Sequence, residues 1–549
     1  MIDQICVTIP LNELLQKSIE RESDFLEYKV VTADLPRSQG GGSTWELQLV
    51  NNPLFSNEKT QDNVLQLAHA VLGMVVSASN RGVDVDEFEL NALVSRVEAR
   101  LQSLKKLKAM STLFPGTGVA GELHGRKAAD AAFWLSLAGV NNAHDNFNIY
   151  DELAEISTDE LLRFGSKNSC RPKDVLHIVE RFGMAGAVGS NIRHLYSVAA
   201  DCLEGKMMNN IIDTSQDGDD SSIDYIHIIN SLRGSSFGLH SDRSLLGLWR
   251  FSIRQRKQRV FFENAAKHFD GRFRVDTASQ SIGDRNLEQY EWEKLFNDPT
   301  RPLVVDVGCG MGVSLVGLAS GTAAEATTEE EIQIDWNECN FIGVDLSRLA
   351  IRFAKGVSKR WKLDHLRFIV DPAEQCIERL KSYPGPVKLA MIQFPTPYRY
   401  TEIDEDSESS VVKGYNAQLP EDSEAGCFMV TEKLLCLIQE ILSRGEESGM
   451  LLVQSNCEDV AVRMKSIAET RAGFDSVEFA NSRASLDAVT QRAQRWVANG
   501  GNRAIGTSFS SLPLLPKRGR TETEVACSLD DKPVHRCLFI PRSQQNKIQ

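Results

Sequence analysis

The sequence predicts an α/β fold in the C-terminal half of the chain, preceded by a mostly α-helical region. The first observation is a run of apolar β-formers, Leu303 to Val307, that passes through alternating glycines into a helical pattern. The second is that three more apolar runs, 341–345, 366–371 and 387–394, follow at intervals that leave room for helices. Strands that alternate with helices predict a parallel, doubly wound sheet.

The turn after the first strand has the pattern G-x-G-x-G, formed by Gly308, Gly310 and Gly312 and preceded by Asp306. Glycine is needed where a ligand approaches the backbone closely or where a Cβ would forbid the dihedral angles of the turn. The pattern predicts a nucleotide-like ligand, and a purely structural turn is the alternative. The spacing differs from the G-x-G-x-x-G of dinucleotide binders, which disfavours a nicotinamide dehydrogenase.

The next strands also end in polar residues. Asp345, followed by Leu346, ends the second strand, Asp371 ends the third, and Gln393 lies at the end of the fourth. An acid at the end of the second strand sits beside the glycine turn and can accept both hydroxyls of a ribose. The polar, acidic stretch 322–340 lengthens the first strand-to-strand connection and is predicted to be a surface insertion.

These motifs resemble the tRNA guanine-N7 methyltransferase family, whose members use S-adenosylmethionine (SAM) on a Rossmann-like class I methyltransferase fold. The matching segments are VDVGCGMG, GVDLSRLAIRFAKG and MIQFPTPYRY. Segments 252–255 and 291–296 resemble the family's IRQ and DWxxLF motifs, and residues 521–524 match its T-x-x-E motif. The resemblance covers roughly the last 300 residues.

The resemblance implies roles for individual residues. Cofactor-binding residues would be Asp306, Gly308, Gly310, Gly312, Asp345, Leu346, Asp371 and Gln393. The acceptor side would be formed by Thr396, Asn456, Thr521 and Glu524, with Pro395, Pro397 and Tyr398 also contacting the substrate. The family's loop aspartate is Thr396 here, and a second family aspartate aligns with Asn456. The downstream basic run is replaced by acidic residues between 402 and 408.

Guanine N7 carries a lone pair and no proton, so its methylation needs alignment and a polar environment rather than a general base. We therefore expect weakened guanine recognition, not a chemical block, from the two missing acids. Two alternatives are a catalytically impaired methyltransferase-fold protein that binds RNA or protein, and a methyltransferase with a reassigned substrate.

Charge bears on the expected tRNA partner. The net charge is −14, so binding to RNA would depend on local basic surfaces. One basic cluster contains Arg254 and Arg256, for which a solvated helix face is the alternative, and a second contains Lys517, Arg518 and Arg520. The second directly precedes the T-x-x-E motif and is therefore expected to contact RNA.

The predicted organisation is a mostly helical N-terminal domain, 1–235, and a methyltransferase domain, 240–549. Linkers are expected near 39–43 and 213–224, and further insertions near 400–425 and 481–510. Within the helical half, residues 157–160 read Ser-Thr-Asp-Glu and predict a capping box that opens a helix. The helical half shows no catalytic pattern, and it could bind a partner protein.

The 11 cysteines include no C-x-x-C pair, so no metal site is expected. No apolar run reaches the roughly 20 residues of a membrane span, and the early acidic residues do not suit a targeting peptide. These features predict a cytoplasmic protein and leave the nucleus or an organelle open.

Overall fold

The computed structural model describes three short strands before residue 63. Beyond them it describes residues 63–113, 123–141, 147–165, 171–208, 225–234, 265, 267, 291–321, 331–395, 428–445, 448–480, 482–483, 497, 500–529 and 532–542. The predicted linkers, the 400–425 insertion, Arg254, Arg256, Thr396, Pro397 and Tyr398 lie outside these residues. The chain divides into two compact units, Met1–Asn63 and Val64–Gln549.

The first unit contains an antiparallel sheet with the order β1-β3-β2, formed by β1 (Cys6–Ile9), β2 (Lys29–Val31) and β3 (Trp45–Gln48). The sequence analysis expected helix in this region. Runs of three or four residues are too short to show a period, but two of these strands contain adjacent β-branched residues, which favour extended backbone.

The second unit begins with helices, as predicted. They are α1 (Val64–Asn80), α2 (Glu87–Leu113), α3 (Gly125–Leu137), α4 (Ile149–Gly165), α5 (Pro172–Met184), α6 (Ser190–Met208) and α7 (Tyr225–Arg233). Asp86 caps α2 by accepting from the backbone N–H groups of Phe88 and Glu89 at 2.9 and 3.2 Å. We call α1 to α7 the helical layer.

The predicted capping box at 157–160 is wrong, because these residues lie inside α4. Ser157 and Thr158 donate to backbone carbonyls one turn earlier, at 3.1 and 2.8 Å. The Glu160 carboxylate instead accepts from the backbone N–H of Gly125, the first residue of α3. Glu160 therefore caps a neighbouring helix and not its own.

The main sheet has the strand order β10-β11-β12-β8-β7-β4-β5-β6, and β9 pairs with β12. Its strands are β4 (Leu303–Val307), β5 (Asn340–Asp345), β6 (Leu366–Val370), β7 (Val387–Gln393), β8 (Met450–Ser455), β9 (Phe474–Ser476), β10 (Ser482–Arg483), β11 (Gly506–Ser510) and β12 (His535–Pro541). Strands β4 to β8 are parallel to their neighbours, whereas β12 runs antiparallel to β8.

Helices cover both faces of this sheet. One face carries α9 (Val313–Ala319) and α10 (Arg348–Arg360), and the other carries α8 (Trp292–Leu295), α11 (Ala373–Leu380), α12 (Glu432–Leu442) and α13 (Glu458–Thr470). Helix α14 (Glu522–Leu529) precedes β12, and short 3-10 turns cover Trp336–Glu338 and Lys517–Gly519. This topology confirms the predicted Rossmann-like class I methyltransferase fold. Its strand order reverses between β4 and β7, where such folds place their ligand.

The helical layer packs onto the sheet through α10, and the two share one continuous hydrophobic core. Gly139, after α3, lies close to Gly356 in α10. A Cβ built on Gly356 would lie 3.0 Å from the backbone of Gly139. The indole nitrogen of Trp361 donates to the carbonyl of Gly186 at 2.9 Å. Helix α10 directly follows Asp345, so the helical layer supports an element of the predicted cofactor site.

Within the described part of the chain, no helix combines the length and the apolar character needed to cross a membrane. The cytoplasmic location and the boundary near residue 235 stay predictions.

Candidate cofactor and acceptor site

The glycine turn adopts the conformation that the sequence predicted to need glycine. Gly308, Gly310 and Gly312 have φ angles of 78°, 54° and 72°, in the left-handed region. A Cβ on Gly312 would lie 2.4 Å from the ring of Phe368, so close packing also excludes a side chain there. A Cβ on Gly310 would meet nothing within 4 Å, so this part of the turn has open space beside it.

Asp345 is held against this turn. Its Oδ2 accepts from the backbone N–H of Gly310 at 2.9 Å, and its Oδ1 accepts from that of Ser347 at 2.8 Å. Carboxylate oxygens have further lone pairs, so this geometry is compatible with ribose hydroxyls as additional donors. The next side chain, Leu346, is 70% exposed and lines an adjoining cavity, so it is available for contact with a flat apolar group such as a base.

Asp371 follows β6 and is buried. Its carboxylate forms an ion pair with Arg379 in α11, and its backbone N–H donates to the carbonyl of Asp345 at 3.4 Å. The structure thus places Asp371 beside Asp345 at the carboxyl edge of the sheet. The ion pair is an interaction that the sequence analysis did not anticipate, and the adenine-binding role stays a prediction.

Asp306 lies at the centre of the site and is only 1% exposed. Its Oδ2 accepts from the Nε2 of Gln393 at 3.2 Å, whereas its Oδ1 has no hydrogen-bond partner among the described residues. Burial raises the pKa of Asp306 to about 7, although the bond from Gln393 opposes this shift. A buried acceptor that lacks a donor fits an ammonium group, such as that of a bound amino-acid moiety.

A cavity of about 840 Å³ adjoins this region, within the usual size range of ligand pockets. Leu346, Pro372 and Met429 belong to its lining, together with residues of α11 and α12. The sulfur of Met429 would lie 3.2 Å from a Cβ built on Gly308, so this residue approaches the glycine turn. Met429 carries no motif, and the sequence analysis did not identify it.

The Glu524 side chain is buried and paired, and it is not exposed on the predicted acceptor side. It is 2% exposed, and its Oε1 accepts from the Nε and Nη2 atoms of Arg536 at 2.9 and 2.7 Å. Thr521 caps α14, because its Oγ1 accepts from the backbone N–H of Glu524 at 3.1 Å. The T-x-x-E pattern therefore has a local structural role as a helix start.

Two other predicted acceptor-side residues follow the neighbouring strands β7 and β8. Asn456 is exposed after β8, and Pro395 is buried after β7. Between Gln393 and Pro395, Phe394 has a φ of 50°, a strained conformation for a bulky residue and one that often accompanies functional sites. Its backbone N–H donates to the carbonyl of Gln454 at 2.8 Å, which ties the start of the loop to β8.

The second basic cluster lies next to the glycine-turn helix. The hydroxyl of Ser314 in α9 donates to the carbonyl of Gly519 at 2.6 Å and so fastens this segment to the site. Lys517 is exposed, whereas Arg518 and Arg520 are half-buried. The structure therefore brings a basic segment to the predicted cofactor site.

Besides Met429, the site contains three residues that the sequence analysis missed: Ser314, Gln454 and Arg536. Of these residues, Arg536 could have been identified from the sequence, because it lies in the apolar strand β12 and buried charges are rare unless they are paired. Among the described residues, no group of three or more His, Cys, Asp or Glu side chains is placed to hold a metal ion.

Two curated proteins named tRNA (guanine-N(7)-)-methyltransferase are similar to this chain. The protein from Nostoc sp. is 24% identical over 251 residues, which is 45% of this chain and 84% of the relative. The protein from Trichormus variabilis is 26% identical over 255 residues, which is 45% of this chain and 86% of the relative. A solved rRNA methylase structure from Streptococcus thermophilus is 12% identical to this chain. The match covers 44% of this chain and 89% of that chain, with a TM-score of 0.23. No protein-family model matches the chain.

The sheet topology is that of class I methyltransferases, a fold class whose cofactor is SAM. The relatives from Nostoc and Trichormus are both named as methyltransferases, and the similarity spans most of the length of each. The topology and these similarities together support a SAM-dependent methyltransferase that resembles the tRNA guanine-N7 enzymes.

Proposed function

We propose that this protein transfers a methyl group from SAM to N7 of guanine in tRNA. The observation that carries the cofactor assignment is the buried Oδ1 of Asp306, which has no hydrogen-bond donor among the residues that the structure describes. Asp306 lies on the strand that leads into the left-handed glycine turn. When bound, SAM supplies a methyl group activated by its sulfonium centre. Asp306 would hold the ammonium group, Asp345 the ribose hydroxyls, and Leu346 one face of the adenine.

The chain's own task toward the acceptor is alignment. Guanine N7 needs no proton removal, so the acceptor-side residues have to orient the base and exclude water. The names of the two relatives support tRNA as the substrate. The basic segment with Lys517, Arg518 and Arg520 supports it as well, because an acidic protein binds RNA through local positive surfaces.

One observation favours a second candidate, a methyltransferase with a reassigned acceptor. Of the family acids discussed above, Glu524 is the one that this chain keeps, and it is already paired with Arg536. A paired carboxylate has less capacity to grip the N1 and N2 donors of guanine. Thr396 and Asn456 would then recognise an acceptor through neutral hydrogen bonds.

Transfer of labelled methyl from SAM to unmodified tRNA, followed by nucleoside analysis, tests the proposal. Formation of 7-methylguanosine by the wild type, and its loss in Asp345→Asn, is the expected result. Labelling at a different nucleoside would replace the proposal with the reassigned acceptor. SAM binding without methylation of any RNA would leave a cofactor-binding module without RNA methyltransferase activity.

A further inference from the structure

A row of five buried polar side chains crosses the carboxyl edge of the sheet. Its members are Asp306, Gln393, Gln454, Glu524 and Arg536, with exposed fractions of 1%, 6%, 1%, 2% and 6%. Strand register creates the row, since Gln393 pairs with Gln454 across β7 and β8, and Gln454 pairs with Arg536 across β8 and β12. The row therefore joins the predicted cofactor end of the site to the predicted acceptor end.

Each hydrogen bond of the row has one donor and one acceptor that can be assigned. Arg536 donates twice to Oε1 of Glu524, and the Nε2 of Gln454 lies 3.5 Å from Oε2 of the same carboxylate. The same Nε2 donates to Oε1 of Gln393 at 2.8 Å, and the Nε2 of Gln393 donates to Oδ2 of Asp306 at 3.2 Å. Each amide nitrogen faces an acceptor, so both amides are held in a single flip state.

Arg536 keeps Glu524 a hydrogen-bond acceptor at one end of the row. Without a cation, a carboxyl group as buried as Glu524 would favour its protonated form and would then donate a hydrogen bond. Gln454 would have to turn its carbonyl toward Glu524, and Oε1 of Gln393 would lose the bond from Gln454. That bond orients the Gln393 amide together with the bond from its Nε2 to the Oγ of Ser314 at 3.1 Å. Arg536 therefore acts on Asp306 through three intervening side chains and not through a direct contact.

We propose that Arg536 and Gln454 are positioning residues of the cofactor site, which keep the amide nitrogen of Gln393 on Asp306 and so keep the free Oδ1 directed at the ammonium group of SAM. This inference rests on the proposed function. It gives Glu524 a structural task that is independent of guanine recognition.

The test is calorimetric titration of the full-length protein with SAM between pH 6 and 9. Arg536→Met is expected to weaken binding by about 2- to 10-fold near neutral pH, the equivalent of one hydrogen bond. Affinity should recover as pH rises and Glu524 ionises. The double variant Arg536→Met with Glu524→Gln should bind close to wild type at every pH, because the amide oxygen at 524 again accepts from Gln454.

The charges of Asp345 and Glu522 also act on Asp306, and Arg536 is the cation that faces Glu524. Both acids remain in every variant, so the informative quantity is the difference from wild type at each pH. Arg542→Met is the matched control, since Arg542 forms an ion pair with Asp475 in which the side chains are 45% and 53% exposed. Its SAM affinity should equal that of wild type.

If Arg536→Met does not fold, Gln454→Met is the alternative test. It removes the hydrogen bonds of Gln454 from the row and leaves the ion pair between Arg536 and Glu524 intact. It is expected to weaken SAM binding by about 2- to 10-fold with an unchanged pH profile. Wild-type affinity in folded Arg536→Met or in Gln454→Met would overturn the inference. A wild-type protein that does not bind SAM would overturn the proposed function first, and the inference with it.

Discussion

Replacement of Arg360 by methionine should weaken the attachment of the helical layer to α10. This side chain is 8% exposed, and its Nη1 donates to the carbonyl of Val140 and the hydroxyl of Tyr150 at 2.7 and 3.2 Å. Its Nη2 donates to the hydroxyl of Ser136 and the carbonyl of Ala185, both at 2.7 Å. The guanidinium carbon lies 4.6 Å from the centroid of the Tyr150 ring. All these groups belong to the helical layer or its connections.

The expected magnitude follows from opposing contributions. Each bond from a charged donor stabilises by about 1.5–3 kcal/mol, and the contact with the aromatic ring adds about 2 kcal/mol. Burial of a guanidinium without a carboxylate partner costs several kcal/mol, and methionine removes that cost as well. Ser136 and Tyr150 still donate to the two carbonyls at 2.8 Å, so these acceptors keep a partner. The balance is a loss of about 2–4 kcal/mol in the free energy of unfolding.

Urea unfolding followed by tryptophan fluorescence measures this loss, because Trp134 and Trp361 lie in the helical layer and directly after α10. Arg348→Met is the control, since Arg348 also joins α10 to the helical layer through Asp84. Its ion pair is solvent-exposed, with side chains 35% and 55% accessible, and should contribute less than about 1 kcal/mol. Equal losses in the two variants would refute the assignment of Arg360 as the main polar anchor.

Four further predictions concern the site itself. Asp345→Asn should lower SAM affinity by about 10- to 100-fold in calorimetry, because charge-assisted bonds to the ribose are lost. Gly312→Ala should destabilise the protein by more than about 2 kcal/mol in thermal melting, because of its φ of 72° and the clash with Phe368. Burial raises the pKa of Asp306 from 3.8 to about 7, so the folded protein holds this proton more tightly than the unfolded chain does. The stability that the protonated Asp306 contributes is therefore fully present below pH 3.8 and is lost as the pH rises through 7. Asp306→Asn should therefore flatten the pH dependence of unfolding over that interval. Lys517→Glu should weaken tRNA binding in filter assays and reduce its salt slope by about one unit.

Each of these four predictions would be contradicted by a specific result, in most cases one obtained with a matched control variant. Asp364→Asn alters an exposed acid, and equal SAM affinity in it and in Asp345→Asn would remove the ribose assignment. Gly310→Ala adds a Cβ in open space, so a loss as large as that of Gly312→Ala would show that packing on Phe368 is unimportant. Parallel pH profiles for wild type and Asp306→Asn would contradict the raised pKa of Asp306. Lys362→Glu alters an exposed lysine at the end of α10, and a similar loss of tRNA binding there would indicate nonspecific repulsion.

Much of the cofactor half of the site could be predicted because its geometry follows from local rules. A strand, a glycine turn and a helix start are written in consecutive residues, and the carboxyl ends of neighbouring parallel strands meet at one edge. The bond between Asp345 and Gly310 spans 35 positions, yet it follows directly from the pairing of β4 with β5. The sequence also predicted where left-handed backbone would require glycine.

The arrangement of the acceptor half could not be predicted, because it depends on side-chain pairs between residues that are distant in the sequence. Glu524 was predicted to face a substrate, but the antiparallel return of β12 brings Arg536 next to it. Glu160 formed a convincing local capping pattern, but the packing of α3 against α4 gives it a different helix to cap. Periodicity and motif spacing describe neighbours along the chain. Buried polar groups instead take whichever partner the tertiary fold brings within hydrogen-bonding distance, since they cannot remain unsatisfied. The sequence by itself thus determined the fold class and which residues end the parallel strands at the carboxyl edge, whereas the tertiary structure decided which buried charges pair.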